Sequence, residues 1–211
     1  MSRRRRGTVS VLAALLSVSA LAACGGGPDA LDEQAAEEAL LTEDEFPLEG
    51  YTRGSVTTGV QEAGEYDPAS APDTSDECRE ALEAFGSLNH EEYLSSSASA
   101  RFDKGQDASI ELQVAGATKE PEKVIDVTHD LGRCGEVTTS EGGLELTITF
   151  EGFEKGDVRG VMMRQAVQGT EQEVWMGGRA AGNNLVYAFG SGVSQDDLAE
   201  AVDEQVAKIE D

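Results

Sequence analysis

Apolar and polar positions change their period along this chain, and the changes mark its elements. Leu31, Ala35 and Ala39 recur among acidic residues, predicting a helix from Asp29 to Leu41. Thr52 to Val60 reads as an edge strand, and Asp67-Pro68 and Ala71-Pro72 as an irregular acidic loop. Ser75 opens a helix whose Cys78, Leu82 and Phe85 share one face; it stops near Gly86, with Asn89 and His90 in the exit. Ser95 to Ala100 leads into strand-like sequence, in which Ile110, Leu112 and Val114 alternate with Glu111 and Gln113. Pro121 starts a further helix with Val124, Val127 and Leu131 on its buried face and Gly132 as its stop.

From Glu136 the period becomes two. Leu144, Leu146, Ile148 and Phe150 alternate with Glu145, Thr147 and Thr149, the clearest strand in the chain. Short turns at 154–157, 168–170 and 182–184 separate three more strands, Val158 to Val167, Glu171 to Ala180 and Leu185 to Gly190. Short turns imply antiparallel pairing, because parallel pairs need long crossovers. Ser194 then caps a terminal helix with Leu198, Val202, Val206 and Ile209 on its apolar face. The predicted fold is α+β in two layers, an antiparallel meander sheet with helices packed mainly on one face.

The first 23 residues have a different character. Arg3 to Arg6 form a basic n-region, Val9 to Ala23 an uncharged apolar run, and small residues lead into Cys24, the pattern of a secretory signal. The apolar run is short of the roughly 20 residues of a spanning helix. Leu21-Ala22-Ala23-Cys24 resembles the lipobox of bacterial lipoproteins. That resemblance implies a diacylglyceryl group on the Cys24 sulfur and cleavage just before it. Acyl chains would then hold the protein at the extracytoplasmic face of the cell membrane, since two chains suffice for stable anchoring. Gly7, Thr8 and Val9 after the arginines lack the strong apolar residues of a twin-arginine signal, and the export route stays open. The expected organisation is a signal peptide at 1–23, a lipidated Gly-rich tether at 24–30, and a single extracytoplasmic domain at 31–211.

Charge narrows the partners. The 211-residue chain has a formal charge of −25, with 16 Lys and Arg against 41 Asp and Glu. Four of those basic residues and none of the acids precede Cys24, so the chain from Cys24 onward carries −29. Such a surface repels phosphate backbones and anionic headgroups, which argues against nucleic acid and leaves the acyl chains as the membrane attachment.

Candidate chemistry is sparse. Cys78 and Cys134 remain once Cys24 is acylated, and an exported setting predicts a disulfide between them rather than a redox pair, for which Cys-x-x-Cys spacing is lacking. The two histidines suggest no catalytic set. His129 lies at helical offsets from Asp126 and Asp130, half a metal site at most and more simply a solvated helix face. His90 with Glu91 and Glu92 reads as a polar helix exit. Asp103-Lys104-Gly105-Gln106-Asp107 lacks the ligand ladder of an EF-hand and reads as a surface turn. No metal and no cofactor is predicted. Trp175, beside Met176 and near Met162 and Met163, belongs to the core or, on the open sheet face, is a candidate contact for an apolar ligand, a glycan or a partner protein.

The order of these features is lipobox, a helix ending Leu40-Leu41-Thr42, Pro47 after Phe46, a Cys-bearing helix, a second Cys, a meander and a terminal helix. It resembles the exported lipoproteins of actinobacteria related to the extracellular sensor domain of PknH-type kinases. The resemblance implies an α+β cleft, stabilised by disulfides, that binds a ligand. This chain supplies one bridge where the kinase sensor has two, and the resemblance carries over no ligand-contact residue. The sequence therefore predicts a non-catalytic binding or sensor-like lipoprotein. The alternative is a lipid or glycolipid carrier, which a large hollow between sheet and helices would favour.

Overall fold

A computed structural model describes residues 28–60, 74–141, 144–167 and 170–211. The signal, Cys24 and the acidic loop around Asp67 lie outside the described residues.

The chain forms α1 (Glu33–Ala39), β1 (Thr52–Thr58), α2 (Asp76–Gly86), α3 (His90–Tyr93), β2 (Ala98–Lys104), β3 (Ala108–Gly116) and α4 (Glu122–Asp130). A 3-10 turn (Leu131–Cys134) leads to β4 (Gly135–Glu141), β5 (Leu144–Lys155), β6 (Val158–Val167), β7 (Thr170–Ala181), β8 (Asn184–Ser191) and α5 (Gln195–Glu210). The eight strands make one antiparallel sheet in the order β1-β2-β3-β8-β7-β6-β5-β4. It consists of two meanders, one of three strands and one of five, joined at the seam between β3 and β8. The α+β class, the antiparallel meander and the terminal helix all appear as the sequence predicts.

The distribution of the helices differs from the two-layer expectation. On one face α1 and α5 pack over Phe102, Ile110, Leu112, Val114, Val186 and Ala188. On the other, α2, α4 and the 3-10 turn pack over Leu185, Tyr187, Val161 and Val137. The physical reason is width. Seven spacings of about 4.8 Å make the sheet roughly 34 Å across, about three helix diameters, and four short-to-medium helices shared over two faces bury more of it than one row would. The sign of this in the sequence is Leu185-Val186-Tyr187-Ala188, an unbroken apolar run buried on both sides at the centre of the sheet.

Local signals account for the helix limits. The Asp32 carboxylate accepts from the Ala35 amide, so α1 starts later than Asp29. Ser75 caps α2, and Ser194 with Asp197 forms a capping box on α5. Before α1 the chain is bound to the sheet. The carbonyls of Pro28 and Asp29 accept from the Asn183 amide and the Asn184 carboxamide, at 3.0 Å each. The packed body thus begins within the stretch expected to be spacer. Gly116 permits this approach: a Cβ there would lie 2.1 Å from the Leu31 carbonyl oxygen.

A disulfide joins Cys78, on the buried face of α2, to Cys134 at the end of the 3-10 turn, with Cα atoms 4.3 Å apart. It clamps α2 to the segment that enters β4. Next to it the 3-10 turn crosses β5 at two glycines; a Cβ on Gly132 would sit 2.4 Å from the Gly152 nitrogen.

Candidate functional site

Among the described residues, α2 and α4 cover the β4–β8 side of their sheet face and leave its β1–β3 side open. Strand register places three rows of side chains on this floor. Ser99, Gln113 and Tyr187 form one, Arg101, Glu111 and Phe189 the next, and Asp103, Ser109 and Ser191 the last. The covering helices form one wall, so the floor is a cleft with two unlike ends.

The apolar end lies beside the helices, where Phe85, Leu88, Val124, Leu185 and Tyr187 surround a cavity of about 50 Å³. That is room for a few waters, far below the roughly 300–1,000 Å³ of a site that engulfs a small molecule. The Tyr187 hydroxyl donates to Thr128 Oγ1 at 3.0 Å, and Thr128 donates in turn to the Val124 carbonyl at 2.9 Å. Burial pushes the Tyr187 phenol well above the ordinary tyrosine range, so it stays a neutral donor. At the rim Gln113 Nε2 donates to Ser97 Oγ at 2.7 Å, and His90 borders the opening.

The polar end lies under the β2–β3 hairpin. Arg101, Asp103, Asp107, Ser109, Gln172 and Ser191 line a space of about 300 Å³. Arg101 Nε donates to Asp103 Oδ1 at 2.7 Å, which anchors one edge of an exposed guanidinium. Between the two ends stands Phe189, 42 % exposed, the large hydrophobic side chain most open to water among the described residues. Its ring meets Tyr187 edge to face at 5.0 Å. Across the sheet the ring is flanked by Glu111 on β3 and Met176 on β7, with Arg101 one strand beyond Glu111, so a flat apolar surface can stack on it while Glu111 hydrogen-bonds at its edge. Nothing in the arrangement pairs a nucleophile with a base.

The residues singled out from sequence fall elsewhere. Trp175 is on the α5 face, half-buried, edge to face with Phe153 at 5.2 Å, and its Nε1 donates to Glu173 at 2.9 Å. The core reading describes it; the open-face position does not. Asp126 pairs with Arg159 and Asp130 with Arg133, each at 2.7 Å, while His129 Nε2 stands 4.0 Å from Glu154. The three side chains turn to different partners and do not converge. Asp103 to Asp107 is the β2–β3 hairpin turn, with Gly105 at φ +65°, and forms the mouth of the polar end. Phe189, Arg101 and Tyr187 were not legible as a site, because their strands meet only through the long-range seam.

No family model matches the chain, and no curated protein matches it. Solved structures do. The extracellular domain of PknH from Mycobacterium tuberculosis superposes with a TM-score of 0.56 at 12 % identity, over 86 % of this chain and 97 % of that one. The chain shares the fold of the PknH extracellular domain. A putative uncharacterised protein from Mycobacterium smegmatis, an Rv0999 ortholog, aligns over 86 % of this chain and 96 % of its own at 13 % identity, with a TM-score of 0.48. The resemblance noted in the order of elements is therefore a likeness of fold. Among the described residues, no helix is long and apolar enough to cross a membrane.

Proposed function

We propose that this protein is an extracytoplasmic lipoprotein, anchored by acyl chains on Cys24, whose domain binds a ligand or partner without transforming it. The observation that carries the reading is the cleft floor, where Phe189, exposed along β8 between Tyr187 and Ser191, adjoins a polar space of about 300 Å³ lined by Arg101, Asp103 and Ser191. A lone exposed ring would need no explanation; beside a space of that size it supplies the apolar contact of a small-molecule or partner site. The shared fold with a kinase's extracellular domain supports an outside location and a sensor-like role. The lipid-carrier reading needs a large apolar hollow; among the described residues the apolar end of this cleft holds about 50 Å³, which supports the binder.

Two measurements test this. Membrane fractionation of the wild type and Cys24→Ser addresses the anchor: release of the variant supports it, and retention defeats it. Thermal-shift screening of cell-envelope extracts with the wild type and Phe189→Ser addresses the cleft. A stabilising fraction that loses its effect on Phe189→Ser supports the site, and equal effects on both proteins count against it. Non-covalent lipid carried through purification, seen by native mass spectrometry, would turn the reading to the carrier.

A further inference from the structure

The polar end of the cleft is a notch made by where the strands stop. β8 ends at Ser191, opposite Ser109 on β3 and Val174 on β7, while β7 reaches past it to Thr170. At Gly192 the chain leaves the sheet for α5 on the opposite face. Gly192 has φ +67°, and a Cβ there would lie 1.9 Å from the Asp107 carbonyl oxygen, so glycine is what lets the chain turn this close under the β2–β3 hairpin. Beyond Ser191 a gap is left between β3 and β7. It is the space of about 300 Å³ lined by Arg101, Asp103, Asp107, Ser109, Gln172 and Ser191. Strand alternation puts Arg101, Asp103, Ser109, Gln172 and Ser191 on the same face as Glu111 and Phe189.

We infer that this notch, with Phe189 beside it, binds an uncharged saccharide. The inference rests on the binding cleft proposed above and names its ligand class. Arg101 pairs with Asp103. Among the described residues the Ser109 and Ser191 hydroxyls, the Gln172 carboxamide and the Asp107 and Glu111 carboxylates make no side-chain hydrogen bond or ion pair, so all are available to a ligand. The lining decides between ligand chemistries. One cation, Arg101, stands against three carboxylates, Asp103, Asp107 and Glu111, so a phosphate or carboxylate ligand meets net repulsion. A purely cationic ligand offers no acceptor and leaves the donors of Ser109, Ser191 and Gln172 unused. An acyl chain finds a mostly polar lining. A sugar hydroxyl both donates and accepts, which matches a wall of hydroxyls, carboxamide and carboxylates. The C–H face of a sugar ring supplies the flat apolar surface that Phe189, 42 % exposed, can stack on. The volume stands at the lower limit of small-molecule sites, about 300–1,000 Å³, which suits a single ring.

The test uses the full lipidated protein in nanodiscs, which avoids sugar-headed detergents. The probes are glucose, galactose, mannose and N-acetylglucosamine at millimolar concentration, read by saturation-transfer difference NMR. The expected result is binding of at least one of them. Ser109→Ala combined with Ser191→Ala, and separately Phe189→Ser, should each weaken it about tenfold while keeping the wild-type melting temperature. No signal from any of these sugars overturns the ligand class. A signal equal in the wild type and both variants overturns the site. The bound sugar is then compared with its phosphate ester and its amino-sugar counterpart, both expected to bind more weakly; tighter binding of either overturns the uncharged ligand. The cleft itself is judged separately, by the envelope-extract screen. A stabilising fraction lost on Phe189→Ser keeps the cleft whatever these sugars do, and equal effects on both proteins count against the cleft and the saccharide together.

Discussion

Asn184 accepts the Leu31 amide with Oδ1 at 2.8 Å and donates Nδ2 to the Asp29 carbonyl at 3.0 Å, joining residues 153 apart in sequence. The carboxamide is fully buried, so both backbone groups depend on it. Asn184→Ala should lower stability by about 2–3 kcal/mol in urea unfolding, from the loss of these two hydrogen bonds and of a third, from Nδ2 to the Ala181 carbonyl at 3.2 Å, and from the groups left unpaired. Amide exchange at Leu31 should accelerate more than that at Leu112, deep in the sheet. Uniform acceleration would mean that the segment before α1 is not separately held by Asn184.

Gln205 performs a similar task between α5 and α1. Its Oε1 accepts the Leu41 amide at 3.0 Å and its Nε2 donates to the Ala39 carbonyl at 2.7 Å, where α1 ends. Gln205→Leu keeps the volume and removes both bonds while their backbone partners stay. Stability should fall by about 2–3 kcal/mol, because a buried donor and a buried acceptor are left without bonds. A neutral result by chemical denaturation would show that water replaces the carboxamide.

The Cys78–Cys134 bridge closes a separation of 56 residues. By the chain-entropy estimate its reduction should cost about 4 kcal/mol. Cys78→Ala with Cys134→Ala tests the same loss without reductant, and a melting temperature equal to wild type would contradict it.

Glu45 predicts an acid-limb effect. Hydrogen bonds from Lys208 and then from Thr42 hold its carboxyl at about 2, below the ordinary glutamate value of 4.5. A depressed carboxyl stabilises the fold above its unfolded value and loses that contribution as pH falls through the folded one. The window is therefore pH 4.5 down to about 2. Glu45 is solvent-exposed, so the pair is worth only about 0.2–1 kcal/mol. Lys208→Met should raise the Glu45 value, read by NMR titration, and flatten that part of the stability profile.

Much of this fold is legible where the period is strict. Leu144 to Phe150 forms β5, the 194–209 pattern forms α5, and the three short turns bring β5 to β8 together in sequence order. Two strands are not delimited by their own composition, although they lie in or beside stretches that read as strand-like. Gly135–Glu141 contains one apolar residue, Val137, and Ala98–Lys104 is mostly small or polar, so neither carries a strong alternation of its own. Both are strands because of the strand beside them: β4 pairs along β5, and β2 along β3. The cleft was hidden for a different reason. Glu111 and Gln113 read correctly as the polar face of a strand, but nothing local places Phe189 opposite Glu111. That contact exists only because β8 returns to pair with β3 after the five-strand meander has been laid down.

The same seam sets an order of events during synthesis. The three-strand meander can pair as soon as Gly116 is made, but the free edge of β3, carrying Ile110, Leu112 and Val114, then waits for β8. An uncovered edge with an apolar face is a template for pairing with another chain. Helix α1 waits longer still, since Gln205 follows Leu41 by 164 residues. The contacts that hold the beginning of this domain can therefore be completed only once α5 has been made.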